Sequence, residues 1–246
     1  MPGFKFDNQR LDNKLVAAVA GALDEANVPN LLWGNYLLAV FGVPAIVDGF
    51  AFVVPDNVLS TAYSTLLSTG FRQCTQGLNC TKSDPSLPSP PPAVHVHIDD
   101  NLTISLYQKS QVLWMFPDFG LEFPDPQNPN IMLASDSRLP SASLGRGQGA
   151  FPSHLHPVRI PTAPRYTEAI ITLLCRDLAS RHEMYWMSLL TYIIEYVDGT
   201  EAMKEEDLAV CYRSFFRALK IGDSQVFSIL DGLRNDLINR KLLHAH

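Results

Sequence analysis

Ala93-Val94-His95-Val96-His97-Ile98 and Leu102-Thr103-Ile104-Ser105-Leu106-Tyr107 alternate apolar and polar residues strictly, on either side of Asp99-Asp100-Asn101. A period of two belongs to a strand with one buried face, and a polar turn between two such runs makes an antiparallel hairpin. Any fold for this chain must therefore contain a sheet. Gln111 to Phe116 is expected to add a third strand. Upstream, Ala45 to Val54 is mostly β-branched and aromatic and is enclosed by Pro44 and Pro55, which reads as a buried strand.

Helical spacing surrounds these strands. Leu11, Leu15, Val19 and Leu23 stand four apart and stack on one face of a helix over about residues 11 to 26. Leu31 to Phe41 reads as a second helix, stopped before Pro44. Val58 to Ser68 reads as a third, ending at Gly70. From Pro117 to Pro164 prolines and glycines dominate, so a long irregular stretch is expected. After it the chain turns helical over about 165–180, 182–197, 205–219 and 224–243. Three segments follow: an α/β lobe over 1–116, a Pro/Gly-rich connecting loop over 117–164 and a helical lobe over 165–246. The fold class is α+β, a sheet with flanking helices followed by a helical C-terminal lobe.

The net charge of −6 argues against a broad nucleic-acid surface, because phosphate contacts need clustered Lys and Arg. Charge is nevertheless uneven. No acid occurs between Ser137 and Thr167, where Arg138, Arg146, Arg159 and Arg165 lie with His154 and His156. That stretch is a candidate site for a small anionic ligand. No run of about 18 apolar residues exists and the first residues lack the core of a secretory signal, so no membrane association and a cytoplasmic location are expected. Cys74, Cys80, Cys175 and Cys211 form no CxxC pair and show no Cys/His spacing of the usual zinc type. No structural metal is expected; Cys74 and Cys80 could bridge across their short loop, but a reduced compartment favours free thiols.

His95 and His97 lie two apart on a strand, which places both imidazoles on one face, and Asp99 continues that parity. This trio is the candidate catalytic cluster; a polar sheet face is the plainer reading. Gly145-Arg146-Gly147-Gln148-Gly149 can present amides and a guanidinium to a phosphate or carboxylate. Lys109, just after a strand, is a further candidate for an anion.

Gly34-Asn35-Tyr36-Leu37-Leu38-Ala39-Val40-Phe41-Gly42, followed by Ala45 to Val54, is similar to the signature of polymerase-beta-like nucleotidyltransferases, especially the minimal, antitoxin-partner and aminoglycoside-modifying types. In that family a Gly-Gly or Gly-Ser turn on a helix is followed by a second glycine, and a strand then carries Asp-x-Asp ahead of hydrophobic residues. A third carboxylate sits on a later strand. Val158-Arg159-Ile160-Pro161 through Glu168, Ala169 and Leu174 to Arg176-Asp177 resembles the family's helical segment after the catalytic lobe. The resemblance implies a mixed sheet flanked by helices.

The departures from the family decide the expected chemistry. Aligning Phe52-Val53-Val54 with the hydrophobic end of the family's strand puts Gly49 and Ala51 where the two metal-binding aspartates belong. Neither can bind magnesium, and two-metal catalysis needs carboxylates to hold both ions. Ala45 replaces the usual basic residue, and Asn35 stands beside the one remaining glycine, Gly34. On a regular strand, Asp48 would face away from the side that Gly49 and Ala51 share.

Two functional readings stay open. One is a pseudo-nucleotidyltransferase scaffold that needs no magnesium or other cofactor and binds a nucleotide, a small anion, a protein partner or a second copy of itself. Its ligand-binding candidates are Gly34, Asn35, Asp48, Lys109, Arg138 and Arg146. The other is a repurposed enzyme, a transferase or cyclase of specialised metabolism using a nucleotide- or tRNA-activated donor, acting through His95, His97, Asp99 and the basic loop. Proline-rich insertions in a compact fold resemble the style of filamentous-fungal proteins, some of which serve such pathways.

Overall fold

The structure is a computed structural model that describes residues 3–142 and 147–243. Its elements form an α+β chain in two compact units. The first unit runs through Pro85 and resumes at Pro91–Thr162; the second comprises Ser86–Pro90 and Ala163 onward.

In the first unit, α1 (Asn13–Glu25) begins at Asp12, whose side chain accepts from the Leu15 amide at 2.9 Å. That satisfies one of the amide donors left over at a helix start. Its face of Leu15, Val16, Val19 and Leu23 is buried. Five strands make a mixed sheet: β1 (Leu31–Trp33), β2 (Gly49–Val54), β3 (Arg72–Gln73), β4 (Val94–His97) and β5 (Thr103–Gln108). The order across the sheet is β1-β2-β5-β4-β3. β2 and β5 run parallel, and the other pairs are antiparallel. Helices α2 (Gly34–Val40) and α3 (Leu59–Ser68) and a single helical turn α4 (Lys109–Val112) accompany the sheet.

Alternation sorts the faces. Phe50, Phe52, Val96, Ile104 and Leu106 are buried and share one side by register and parity. Phe50 packs edge-on against Phe52 and Tyr36, and the Tyr36 hydroxyl donates to Asn13 Oδ1, which ties α2 to α1. Burial pushes the Tyr36 phenol well above its usual range, with a smaller push from Asp12. It stays a neutral donor.

Several expectations need correction. Leu31–Trp33 is a strand and not the first turn of a helix, because its three buried residues pair with Ala51–Val53. The helix starts only at Gly34. The strand expected from Ala45 begins at Gly49; Ile46 before it is 90% exposed. Gln111–Phe116 forms no strand. There the Gln108 amide donates to Gln111 Oε1 at 3.0 Å and the Ser110 amide to Asp56 Oδ1 at 3.1 Å, which winds a turn instead. The 117–164 stretch is not wholly irregular: β6 (Ile131–Leu133) and β7 (Arg159–Pro161) pair antiparallel within the first unit. Three-residue strands are too short to show a period.

The second unit holds α5 (Ala163–Arg176), α6 (Glu183–Tyr196), α7 (Val210–Ile221) and α8 (Val226–Asn239). Ile170, Ile171, Leu173, Leu174, Trp186, Leu190, Phe215, Phe216 and Leu230 form its core. Glu168 joins two of its helices: Oε2 meets Arg165 Nη1 at 2.5 Å, and Oε1 accepts from the Ala209 amide at the start of α7 at 2.6 Å. Among the described residues no helix is long and apolar enough to cross a membrane.

Candidate functional site

Register brings the polar face of the sheet into two rows. Trp33 pairs with Ala51, Ala51 with Ser105, and Ser105 with His95. Gly49 pairs with Thr103, Thr103 with His97, and His97 with Arg72. Paired residues on neighbouring strands share a face. Gly49, Ala51, Thr103, Ser105, His95 and His97 therefore share one face, with β5 between the β2 residues and the histidines, and no β2 or β5 position on that face holds a carboxylate.

Gly34 opens α2 directly from β1 at φ +73°, and a Cβ there would stand 3.9 Å from the Ala51 Cβ. Gly49 has φ +133°, and a Cβ on it would lie 1.9 Å from the Thr103 carbonyl oxygen. A side chain does not fit at that position. Gly49 has no room for a side chain, and Ala51 and Ser105 offer no charge. Beside them Thr103 Oγ1 is buried without a hydrogen-bond partner.

Asp48 precedes the strand, so the two-residue alternation does not govern its direction. Its Oδ2 lies 2.6 Å from Lys82 Nζ. Lys82 is near enough to His95 for its charge to act on that ring.

The histidines have partners that the sequence did not reveal. Cys74, Cys80, His95 and His97 each aim one donor atom into a common space, all within 4.8 Å of one another. Among the described residues this is the single such grouping of His, Cys, Asp and Glu. Cys80 Sγ is 3.3 Å from His95 Nε2 and 3.8 Å from His97 Nε2. His97 Nδ1 is 3.2 Å from the Asp99 carbonyl oxygen. Because a carbonyl only accepts, this contact assigns the ring proton to Nδ1 and leaves the Nε2 lone pair facing Cys80.

Burial pushes the Cys80 thiol up; the Lys82 and Ser83 amides directed at it pull it down, while Cys74 adds a further push upward. Burial also lowers the pKa of His95, helped by the charges of His97 and Lys82. A neutral thiol beside a neutral imidazole is the opposite of an activated Cys/His nucleophile. Cys80 is also only 2% exposed, which closes it to a substrate.

Asp99 does not bring its carboxylate to this cluster. Its Oδ1 accepts from the Asn101 and Leu102 amides at 2.8 and 2.7 Å and forms the hairpin turn; only its carbonyl reaches His97. Lys109 pairs with Asp118 at 2.9 Å. Arg138 holds Asp136 through both Nε and Nη2, at 2.9 and 2.8 Å, which keeps that carboxyl below its ordinary range. Arg146 lies outside the described residues. Beyond it, the Gln148 and Gly149 amides both donate to the Ala39 carbonyl at the end of α2. Asn35 is the second residue of α2 and half-buried.

Among the described residues of the basic stretch, Arg138, His156, Arg159 and Arg165 pair with acids that lie outside it. Arg159 is 1% exposed and binds Asp24 with two nitrogens, at 2.9 and 3.2 Å. It also donates to the Leu121 and Glu122 carbonyls. His156 Nε2 reaches the same Asp24 at 2.8 Å, and Asn30 Nδ2 donates to it at 2.9 Å.

No family model matches this chain, and no curated protein matches it. Two solved structures do. One is the solution structure of the antibiotic-resistance factor ANT(2'')-Ia, 12% identical, covering 91% of this chain and 97% of that one at a TM-score of 0.39. The other is the crystal structure of ANT(2'')-Ia in complex with adenylyl-2''-tobramycin, 15% identical, with the same coverage and a TM-score of 0.40.

Proposed function

We propose that this chain is a nucleotidyltransferase-like scaffold that has given up two-metal nucleotidyl transfer and acts by binding. The reading rests on Gly49 and Ala51, which the resemblance aligns with the family's two aspartates, and is supported by the β2–β5 register, which sets Thr103 and Ser105 beside them without adding a carboxylate. The strand order supports it: a glycine-opened helix leads to β2, and β5 lies parallel beside it.

A nucleotide or another small anion is the occupant this face suits. Lys82, paired with the half-exposed Asp48, is a base near this face, and an anion would have to displace that carboxylate to use it. Thr103 Oγ1 is a buried polar atom without a partner, which is uncommon, and a ligand would reach it only if the face opened. A second reading, contact with a protein partner, draws on Ile46, whose apolar side chain stands in solvent two residues before Asp48. The repurposed-enzyme reading has less support, because the Asp99 carboxylate serves the hairpin turn and does not join His95 and His97.

The test is thermal shift with a panel of nucleotides and small anions, with and without magnesium, beside an assay for pyrophosphate release. A ligand at about 100 times its Kd raises stability by about 2.7 kcal/mol. The expected result is a shift that magnesium does not change and no pyrophosphate. Magnesium-dependent release of pyrophosphate would overturn the reading.

A further inference from the structure

We infer that Cys74, Cys80, His95 and His97 form a closed, four-coordinate site for a zinc ion that fastens the start of the β3–β4 connection to the sheet. This stands apart from the scaffold reading, since it needs neither a nucleotide nor the Gly49–Ala51 strand.

Two measured edges suit a tetrahedron. Zinc bonds of about 2.3 Å to sulfur and about 2.0 Å to nitrogen, at tetrahedral angles, hold a sulfur and a nitrogen about 3.5 Å apart. The Cys80 to His95 and Cys80 to His97 separations, 3.3 and 3.8 Å, bracket that figure. All four donor atoms lie within 4.8 Å of one another, close enough for one ion to engage them after small side-chain adjustments.

The ligand set selects the metal. Two sulfurs and two imidazole nitrogens in a tetrahedron suit zinc, whereas magnesium and calcium require oxygen ligands. Two thiolates against one divalent cation sum to zero charge, which suits a pocket whose Cys80 and His97 are buried. Binding releases the two thiol protons to solvent, and no oxidant or reductant takes part.

The surroundings are those of ligands already oriented. The Asp99 carbonyl fixes the His97 tautomer so that Nε2 is free to coordinate. The Lys82 and Ser83 amides, two and three residues after Cys80, are directed at its Sγ and would donate to a metal-bound sulfur.

The position also explains the need. β3 is two exposed residues long, and the chain from Thr75 to Pro92 is rich in proline and serine and poor in apolar side chains. Such a segment buries little surface to offset its own ordering. An ion bound by two cysteines on the connection and two histidines on β4 supplies that attachment. Lys82, two residues past Cys80, is thereby held within reach of Asp48.

The test uses the full chain, stripped of metal under reducing conditions and titrated with cobalt(II). The expected result is saturation at an equal molar amount, with visible bands of tetrahedral cobalt and near-ultraviolet thiolate charge transfer, all abolished by zinc. Cys74→Ser and Cys80→Ser should weaken cobalt binding by more than about 100-fold, while Cys211→Ser on α7 should bind as the parent does. The parent titration decides the matter if a variant fails to fold. Octahedral cobalt spectra, zinc lost to a weak chelator, or a Cys74–Cys80 disulfide in protein prepared without reductant would each overturn the site. A failed nucleotide shift leaves this result untouched, and the absence of cobalt bands leaves the scaffold reading untouched.

Discussion

The α-carbon of Gly49 faces Thr103 so closely that a Cβ on the glycine would stand 1.9 Å from the Thr103 carbonyl oxygen. The strand therefore enters the sheet at a residue that cannot bear a side chain, at a φ that L-residues rarely adopt. Gly49→Ala should cost more than about 2 kcal/mol, combining backbone strain with displacement of β5. Chemical denaturation reads this directly. A near-neutral result would show that β2 and β5 are not paired here as described, and would reopen the position to an acid.

Thr103 offers a second probe of the same face. Its hydroxyl is buried and unpartnered, so Thr103→Val keeps the shape and removes an unsatisfied polar atom. Stability of the free protein should rise by about 1 kcal/mol. A nucleotide or anion that uses the hydroxyl should bind the variant more weakly. Loss of stability would mean that the hydroxyl already has a partner.

The Asp24–Arg159 pair predicts an asymmetry. Asp24→Ala leaves a guanidinium that is 1% exposed without its counter-charge, and should cost about 3–5 kcal/mol. Replacing both, as Asp24→Leu with Arg159→Met, should recover much of that loss, because neither charge is then left alone. A double-mutant cycle in urea measures the coupling; additive losses would rule it out.

In the helical unit, Glu168 is a buried acceptor for both Arg165 and the amide that starts α7. Glu168→Ala should lower stability by about 2 kcal/mol, while Glu168→Gln keeps an oxygen for the Ala209 amide and should lose less. Thermal unfolding followed by circular dichroism separates the two. Equal losses would place the stabilisation in charge alone.

The hairpin and the helices after Pro164 were legible because their periods persist over many residues. Leu31–Trp33 was not, since three buried residues carry no period and only their pairing with β2 fixes their state. The site was half legible. His95-x-His97 declared a shared face, but its cysteine partners depend on the short β3–β4 pairing of Arg72 with His97 and Gln73 with Val96. Cys74 follows β3 at once, and that adjacency was the available signal. The basic stretch misled because its neutralising acids, Asp24 and Glu168, sit outside it, one of them 135 residues from its arginine.

That distance sets where the molecule can be cut. A fragment ending at Phe116 would keep the five-stranded sheet yet strand Asp24 inside it with no cation to meet. One that runs through Thr162 carries Arg159 and the β6–β7 ribbon along. The sheet's independence is thus decided by residues that contribute no strand to it.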